Sequence, residues 1–302
     1  MFKKIKRYAK DPYYALGNDM IRRCPQLMSD KFYLSVLWKL VMGYKLDWKH
    51  PSTFCEKLQW LKLYDRNPMY TLLVDKYRVK DWVAGKIGEQ YVIPTLAVYQ
   101  SADEINLEEL PEQFVLKCNH DSGSVVICRD KSKFDMEAAK KKLDACLKHN
   151  FYWDTREWPY KKVAPCIMAE QYVTPEPGMK DLPDYKWYCF HGEPRFCQVI
   201  QDRSTKETID FFDLTWEHQE FVGLNPACKA AAVCPQRPDH IDVHLKIARE
   251  LSKGLPFSRI DLYEIGGRVY FGEITFFPNG GLGSFNPEKY NGILGDLLTL
   301  PS

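Results

Sequence analysis

The chain has 302 residues, 45% of them hydrophobic, enough to bury a sizeable core in one large or two modest domains. Lys and Arg number 42 against 40 Asp and Glu, so no whole-molecule field draws a polyanion, and nucleic acid is excluded as the default partner. Ten cysteines are scattered without CxxC pairs, and Cys118, Cys128, Cys166, Cys189 and Cys197 lie in apolar runs, the pattern of free core thiols in a reducing cytoplasm.

The basic start MFKKIKRYAK leads into DPYYALGND and not into an apolar stretch, so no secretory signal is expected. Lys3, Lys4, Lys6, Arg7 and Lys10, interleaved with Phe2, Ile5 and Tyr8, suit either an anionic membrane surface or a solvated helix end. Residues 1–66 are expected to be helical, with Phe32, Leu34, Leu37, Leu40 and Val41 on one face and Phe54, Leu58 and Leu61 on a second. The run FYLSVLWKLVM at 32–42 is about half the ~20 residues that span a bilayer, and Lys39 interrupts it.

From residue 71 the pattern changes. Helical periodicity over 71–85 gives way to β-branched and aromatic runs at 91–99, 113–118 and 124–129, then to an amphipathic helix over 134–149. Strands follow at 166–173, 185–191 and 195–201, the last two joined by a tight Gly192-Glu193-Pro194 turn. A loop-rich section over 214–238 precedes a helix at about 239–253 and a hairpin over 258–281. Hairpins mixed with helices predict an α+β architecture and not a parallel doubly wound sheet.

Four segments carry candidate chemistry. In FVLKCNHDSGSVVI (114–127), Lys117 leaves a buried strand, where an ammonium needs an anion, and Ser122, Gly123 and Ser124 offer hydroxyls and backbone N–H groups to phosphate oxygens. It is not the strand-GxxxxGK[ST]-helix signature. In IMAEQYV (167–173), a strand ends at Glu170 and a loop with Glu176 follows, a place where backbone could read adenine and a carboxylate could accept from ribose. In DYKWYCF (184–190), period two sets Asp184, Lys186 and Tyr188 on one face, either wet or lining a phosphate site.

The hairpin SRIDLYEIGGRVYFGEITFFP (258–278) is the most specific. A three-residue loop centred on Gly267 sets Asp261 opposite Glu273, whereas a two-residue Gly266-Gly267 turn throws them onto opposite faces unless a bulge restores the parity. The longer loop is the one expected. Facing carboxylates about 5 Å apart repel by about 3 kcal/mol at an effective dielectric near 20, which a cation reverses, and Mg²⁺ takes such oxygens together with substrate phosphates. Arg259 shares their face.

In this order the motifs resemble the ATP-grasp fold. LVDKYRVKDWV, FVLKCNHDSGSVVI, REWPYKKVAPCIMAEQYV, DYKWYCFHGEPRF and FSRIDLYEIGGRVYFGEITFFP are similar, more narrowly, to the TupA-like ATP-grasp family of bacterial surface-polysaccharide loci, from about residue 50 to the end. The resemblance implies two α+β subdomains clasping ATP in 67–302, a clamp at about 110–170 and a metal-binding part at about 171–302, behind a helical segment 1–66. It implies that Lys117 contacts the α/β-phosphates, that Ser122, Gly123 and Ser124 close over them, that Glu170, Gln171, Tyr172 and Val173 form the adenine hinge, and that Glu176 lies near the ribose. Lys186 and Arg259 then address phosphates, and Asp261 and Glu273 bind Mg²⁺. Family sites usually read Glu-x-Asn. Here Thr275 replaces the Asn, so a water or Asn279 competes with it for the third ligand position.

The implied reaction is ATP-dependent ligation of a carboxylate to an amine through an acyl phosphate, in line with the lack of a Ser-His or Cys-His arrangement. Arg203 is a candidate to neutralise an acidic substrate. For a surface-polysaccharide setting, the substrates implied are a uronic acid carboxyl in a lipid-linked or nucleotide-linked glycan and an amino acid or amino alcohol, joined in the cytoplasm, free or at the inner face of the membrane. Alternatives are a sugar or glycan kinase with the same ATP site, a glycosyltransferase, and an idle scaffold of an assembly complex.

Overall fold

The computed structural model describes residues 21, 23–175, 181–202, 206–225 and 228–301. The basic cluster Lys3 to Lys10, Glu176 and Arg203 lie outside the described residues. Two larger antiparallel sheets line a cleft, each with a helix packed on its far face, and a third, two-stranded sheet pairs β9 (Val222–Gly223) with β12 (Phe285–Asn286), an α+β arrangement.

The smaller sheet has the order β1 (Thr95–Tyr99), β4 (Ile167–Gln171), β2 (Phe114–Cys118), β3 (Val126–Cys128). Alternation along β2 buries Phe114, Leu116 and Cys118 against helix α5 (Met136–Leu147), whose Leu143 completes that core. The intervening Val115 and Lys117 therefore face the cleft. Asp135 caps α5 by accepting from Ala138 N–H.

The larger sheet has the order β11 (Arg268–Thr275), β10 (Phe257–Ile265), β5 (Asp184–Phe190), β6 (Glu193–Gln201), β7 (Thr208–Phe212), β8 (His218–Gln219). Helix α6 (Ile241–Ser252) covers one face, and Trp187 donates to His244 of that helix. On the other face, period two aligns Asp184, Lys186 and Tyr188 beside Arg259 and Asp261. Helix α2 (Phe54–Tyr64) covers the end of this face by wedging Phe54 among Tyr188, Phe190 and Phe257. The face is not wet: every residue of β5 is buried.

Helix α2 begins in a capping box between Thr53 and Glu56. Helix α1 (Asp30–Met42) turns Tyr33, Leu34 and Trp38 inward, whereas Phe32 and Val41 stay 50% and 52% exposed, unlike the face the apolar spacing predicts. The reason is that Tyr33 pairs a buried ring with a hydroxyl that donates to Trp153 and Asp154 carbonyls. The helices of the first part of the chain share one core with the large sheet. All ten cysteines are free.

Three turns depart from expectation. The helix predicted over 71–85 is two helices, α3 (Met69–Val74) and α4 (Val79–Ile87), because the Asp75 carboxylate accepts from the N–H groups of Tyr77 and Arg78 and starts a new turn. The β5–β6 turn is His191 and Gly192, both at positive φ, with Phe190 opposite Glu193. In the β10–β11 hairpin the turn has two residues, Gly266 and Gly267 at φ 57° and 70°, so Ile265 faces Arg268. A bulge at Gly272 then restores the parity, and Asp261 faces Glu273. The three-residue loop is absent, yet the facing pair it was invoked to explain is present.

A Cβ on Gly272 would lie 3.0 Å from both the Asp261 carbonyl oxygen and the Tyr263 ring. Gly272→Ala is expected to destabilise the protein by about 1–3 kcal/mol through overpacking at the bulge, measured by urea unfolding.

Candidate active site

The wall of the cleft is built by β2 and β4. Lys117 projects from β2 to the carboxylate of Glu170 on β4 at 2.5 Å, and Lys80 of α4 reaches the other oxygen at 2.5 Å while also donating to the Ile93 carbonyl and Thr95 hydroxyl. Burial acts to raise the Glu170 pKa, but Lys117 and Lys80 more than offset it and hold the group ionised below its usual range. Glu170 thus presents two ammonium groups at the cleft. Beyond it, Gln171 donates its N–H to Pro94, and Tyr172 and Val173 run along a cavity of about 190 Å³. Val115, Ile127 and Phe271 give that cavity apolar walls, and Arg129 closes its rim by donating to the Tyr172 hydroxyl at 3.1 Å.

The floor comes from the large sheet. Arg259 donates from Nε and Nη2 to the two oxygens of Asp261 at 2.7 and 2.6 Å, and Lys186 contacts both Asp261 and Asp184. The same Nη2 lies 3.0 Å from Thr275 Oγ1 and 3.4 Å from Glu273 Oε1. Oxygens of Asp261, Glu273 and Thr275 therefore converge on one positively charged nitrogen. Lys76 bridges floor and wall, 3.3 Å from Glu273 and 2.6 Å from the Asp121 carbonyl. Burial would raise Glu273, but Lys76, Lys186 and Arg259 hold it well below the carboxylate range.

The loop between β2 and β3 splits its candidates. Ser122 and Gly123 are exposed at the cleft end of the strands, whereas Ser124 is buried, accepting from Cys118 N–H and donating to Asp121. Ser124 shapes the loop from inside. Asn279 commits its amide N–H to the Leu224 carbonyl. Among the described residues no three His, Cys, Asp or Glu side chains converge as a metal cluster. The donor set for a hard cation is two carboxylates and the Thr275 hydroxyl, which already surround a positive charge and fit such an ion.

The model of the TupA-like ATPgrasp family matches residues 56–299. This chain belongs to that family. ATP-grasp structures are also among its solved neighbours. The D-alanine–D-alanine ligase of Bacillus anthracis complexed with ATP is 16% identical, with a TM-score of 0.38 over 69% of this chain and 55% of that one. The ATP-grasp ligase PsnB complexed with minimal precursor, Mg and ADP is 10% identical, with a TM-score of 0.38 over 86% of this chain and 66% of that one. The D-cycloserine synthetase DcsG is 15% identical, with a TM-score of 0.37 over 76% and 71%. The chain therefore spans little more than half of the first of these and less than two thirds of the second. No curated protein matches it significantly.

Two cations of this TupA-like ATP-grasp site, Lys76 and Lys80, carry no local signal that marks them as site residues. Lys76 and Lys80 are four apart in VDKYRVK, a spacing that a continuous amphipathic helix explains equally well, and only the break at Asp75 turns both toward the cleft.

Replacing Glu170 by Leu leaves two largely buried ammonium groups facing each other, and a loss of about 3–5 kcal/mol is expected in urea unfolding at neutral pH. Glu170 and Glu273 have folded pKa values below the ordinary 4.5. Their contribution is fully present above that pH and lost as the pH falls below it, so acid unfolding should begin at lower pH in wild type than in Lys76→Met or Lys80→Met.

Proposed function

We propose that the chain is an ATP-dependent carboxylate–amine ligase working through an acyl phosphate. The observation that carries this reading is the placement of a base-sized apolar cavity, two wall lysines and a floor of paired carboxylates and cations along one cleft. The base occupies the cavity along 171–173, with the ribose toward the strand exit that leads to Glu176. Lys117 and Lys80 take the α/β-phosphates, and the exposed Ser122-Gly123 tip closes over them. Asp261, Glu273 and Thr275 would hold Mg²⁺, which supplies charge neutralisation at the phosphates when bound.

The substrate carboxylate oxygen attacks the γ-phosphorus, and the bond to the β-phosphate oxygen breaks to release ADP. Lys186 and Arg259 balance the charge that develops on the transferred group. The amine nitrogen then attacks the acyl carbon, loses a proton, and phosphate leaves as the amide forms. No protein nucleophile takes part. The carboxylate substrate proposed is a uronic acid of a surface glycan, approached by Arg203, and the amine an amino acid or amino alcohol.

A location at an anionic, cytoplasmic membrane face is proposed on charge asymmetry. Residues 1–50 hold eleven Lys and Arg against four Asp and Glu, a net +7, whereas the chain as a whole is +2, which leaves −5 for residues 51–302. No helix among the described residues is long and apolar enough to cross a membrane.

Calorimetry should show ATP binding that requires Mg²⁺, weakened about tenfold or more in Lys117→Met and stripped of its Mg²⁺ dependence in Glu273→Gln. Wild type that binds no Mg·ATP would end both ATP-using readings. With uronic acids and amines supplied, ADP and a new amide are expected, whereas a phosphorylated sugar would identify a kinase. Full-length protein should sediment with vesicles containing anionic lipid, stay in solution with zwitterionic vesicles, and be released by high salt.

A further inference from the structure

Helix α2 turns Gln59 and Lys62 into the core at 0% and 1% exposure. A fully buried lysine is rare unless it is paired. Lys62 Nζ donates to the carbonyl oxygens of Gly280 at 2.5 Å and Thr155 at 2.9 Å and to Gln59 Oε1 at 3.3 Å. Gln59 Nε2 adds donations to Gly280 O at 3.0 Å and Gly281 O at 2.7 Å. The buried carboxylate of Glu157 accepts from the Thr155 hydroxyl. Burial lowers Lys62 to about 8 against the pull of Glu157, so its charge is kept at a cost.

Three segments meet at this ammonium: helix α2, the strap 148–166 that returns from α5 to β4 of the small sheet, and the turn 279–281 just beyond β11. That turn is unusual. Asn279, Gly280 and Gly281 have φ of 50°, 61° and 63°; Asn is an L-residue that tolerates the left-handed region, and the two glycines, without a Cβ, carry the turn on through it. The fit is close, since a Cβ on Gly280 would lie 2.8 Å from Thr155 Cγ2. An ammonium carries three diverging donors and can satisfy acceptors from three segments at once; a planar guanidinium cannot point its N–H groups that way.

We propose that Lys62 is a positioning residue for the reaction centre, tying the strap of the small sheet to the turn behind β11 and so setting where Glu273 and Thr275 stand beneath the wall lysines. The catalytic consequence rests on the ligase reading; the tie itself does not. Lys62 lines no part of the base cavity.

The test compares wild type with Lys62→Met in two arms. In ligand-free protein, amide hydrogen exchange over 152–157 and 276–284 should accelerate together by about tenfold or more, while α5 and β2 keep their protection. With Mg·ATP as the probe, Kd should stay within about threefold, whereas phosphate release should fall by about tenfold or more. A merely structural role would lower binding and rate together, in proportion to the folded fraction. Should Lys62→Met not fold, Gly280→Ala, which pushes the turn off Thr155 and leaves Lys62 in place, is expected to give the same separation of rate from affinity. Unchanged exchange over 276–284, or an unchanged rate, in the variant that folds would overturn the proposal. If wild type binds no Mg·ATP, the ligase reading fails while the exchange arm still decides the tie.

Discussion

The neutralisation of Asp261 is the interaction on which the site depends. Its carboxylate is 1% exposed, and taking such a charge out of water costs several kcal/mol unless hydrogen-bonded cations surround it. Arg259 and Lys186 do so from β10 itself and from the neighbouring β5, and Arg259 Nη2 extends the network to Glu273 and Thr275 on β11. Three strands are locked by one charge balance. Any shift of register by one residue would strand these charges in the core, so the same network that faces the cleft also selects the strand pairing.

A second buried carboxylate links this floor to the wall. Asp75 breaks the helix that the periodicity of 71–85 favours, and it also accepts from the side-chain amide of Asn119 at 3.0 Å. Asn119 in turn donates to the Ala164 carbonyl and accepts from Cys166 N–H, so the broken helix is fastened to the base of the small sheet. The consequence is geometric. Lys76 and Lys80 leave the break in different directions, one to Glu273 on the floor and one to Glu170 on the wall.

Both features were partly legible in the sequence. The facing of Asp261 and Glu273 follows from counting residues around the Gly-Gly turn, but the count admits two solutions, a longer loop or a bulge. Gly272 decides for the bulge because a residue without Cβ fits beside the Asp261 carbonyl. The strand carrying Lys117 and the strand ending at Glu170 could be read from alternation. Their ion pair could not, since it requires β2 and β4 to be neighbours although more than 45 residues separate them in the chain. Ser124 shows the opposite failure: its residue type suits phosphate binding, and its burial commits it to Asp121 and the Cys118 N–H instead.

Period two, glycine turns and residue spacing are local properties, so the α+β class and the chain order of the charge-bearing strands were legible before the fold, and the quoted motifs carried the resemblance to the ATP-grasp family. Which charges meet depends on how the strands and helices pack. Lys76 and Lys80 joined the site, and Lys62 found the turn at 279–281, through contacts between segments far apart in the chain, and a buried charge declares its partner only when the surrounding core has closed around both.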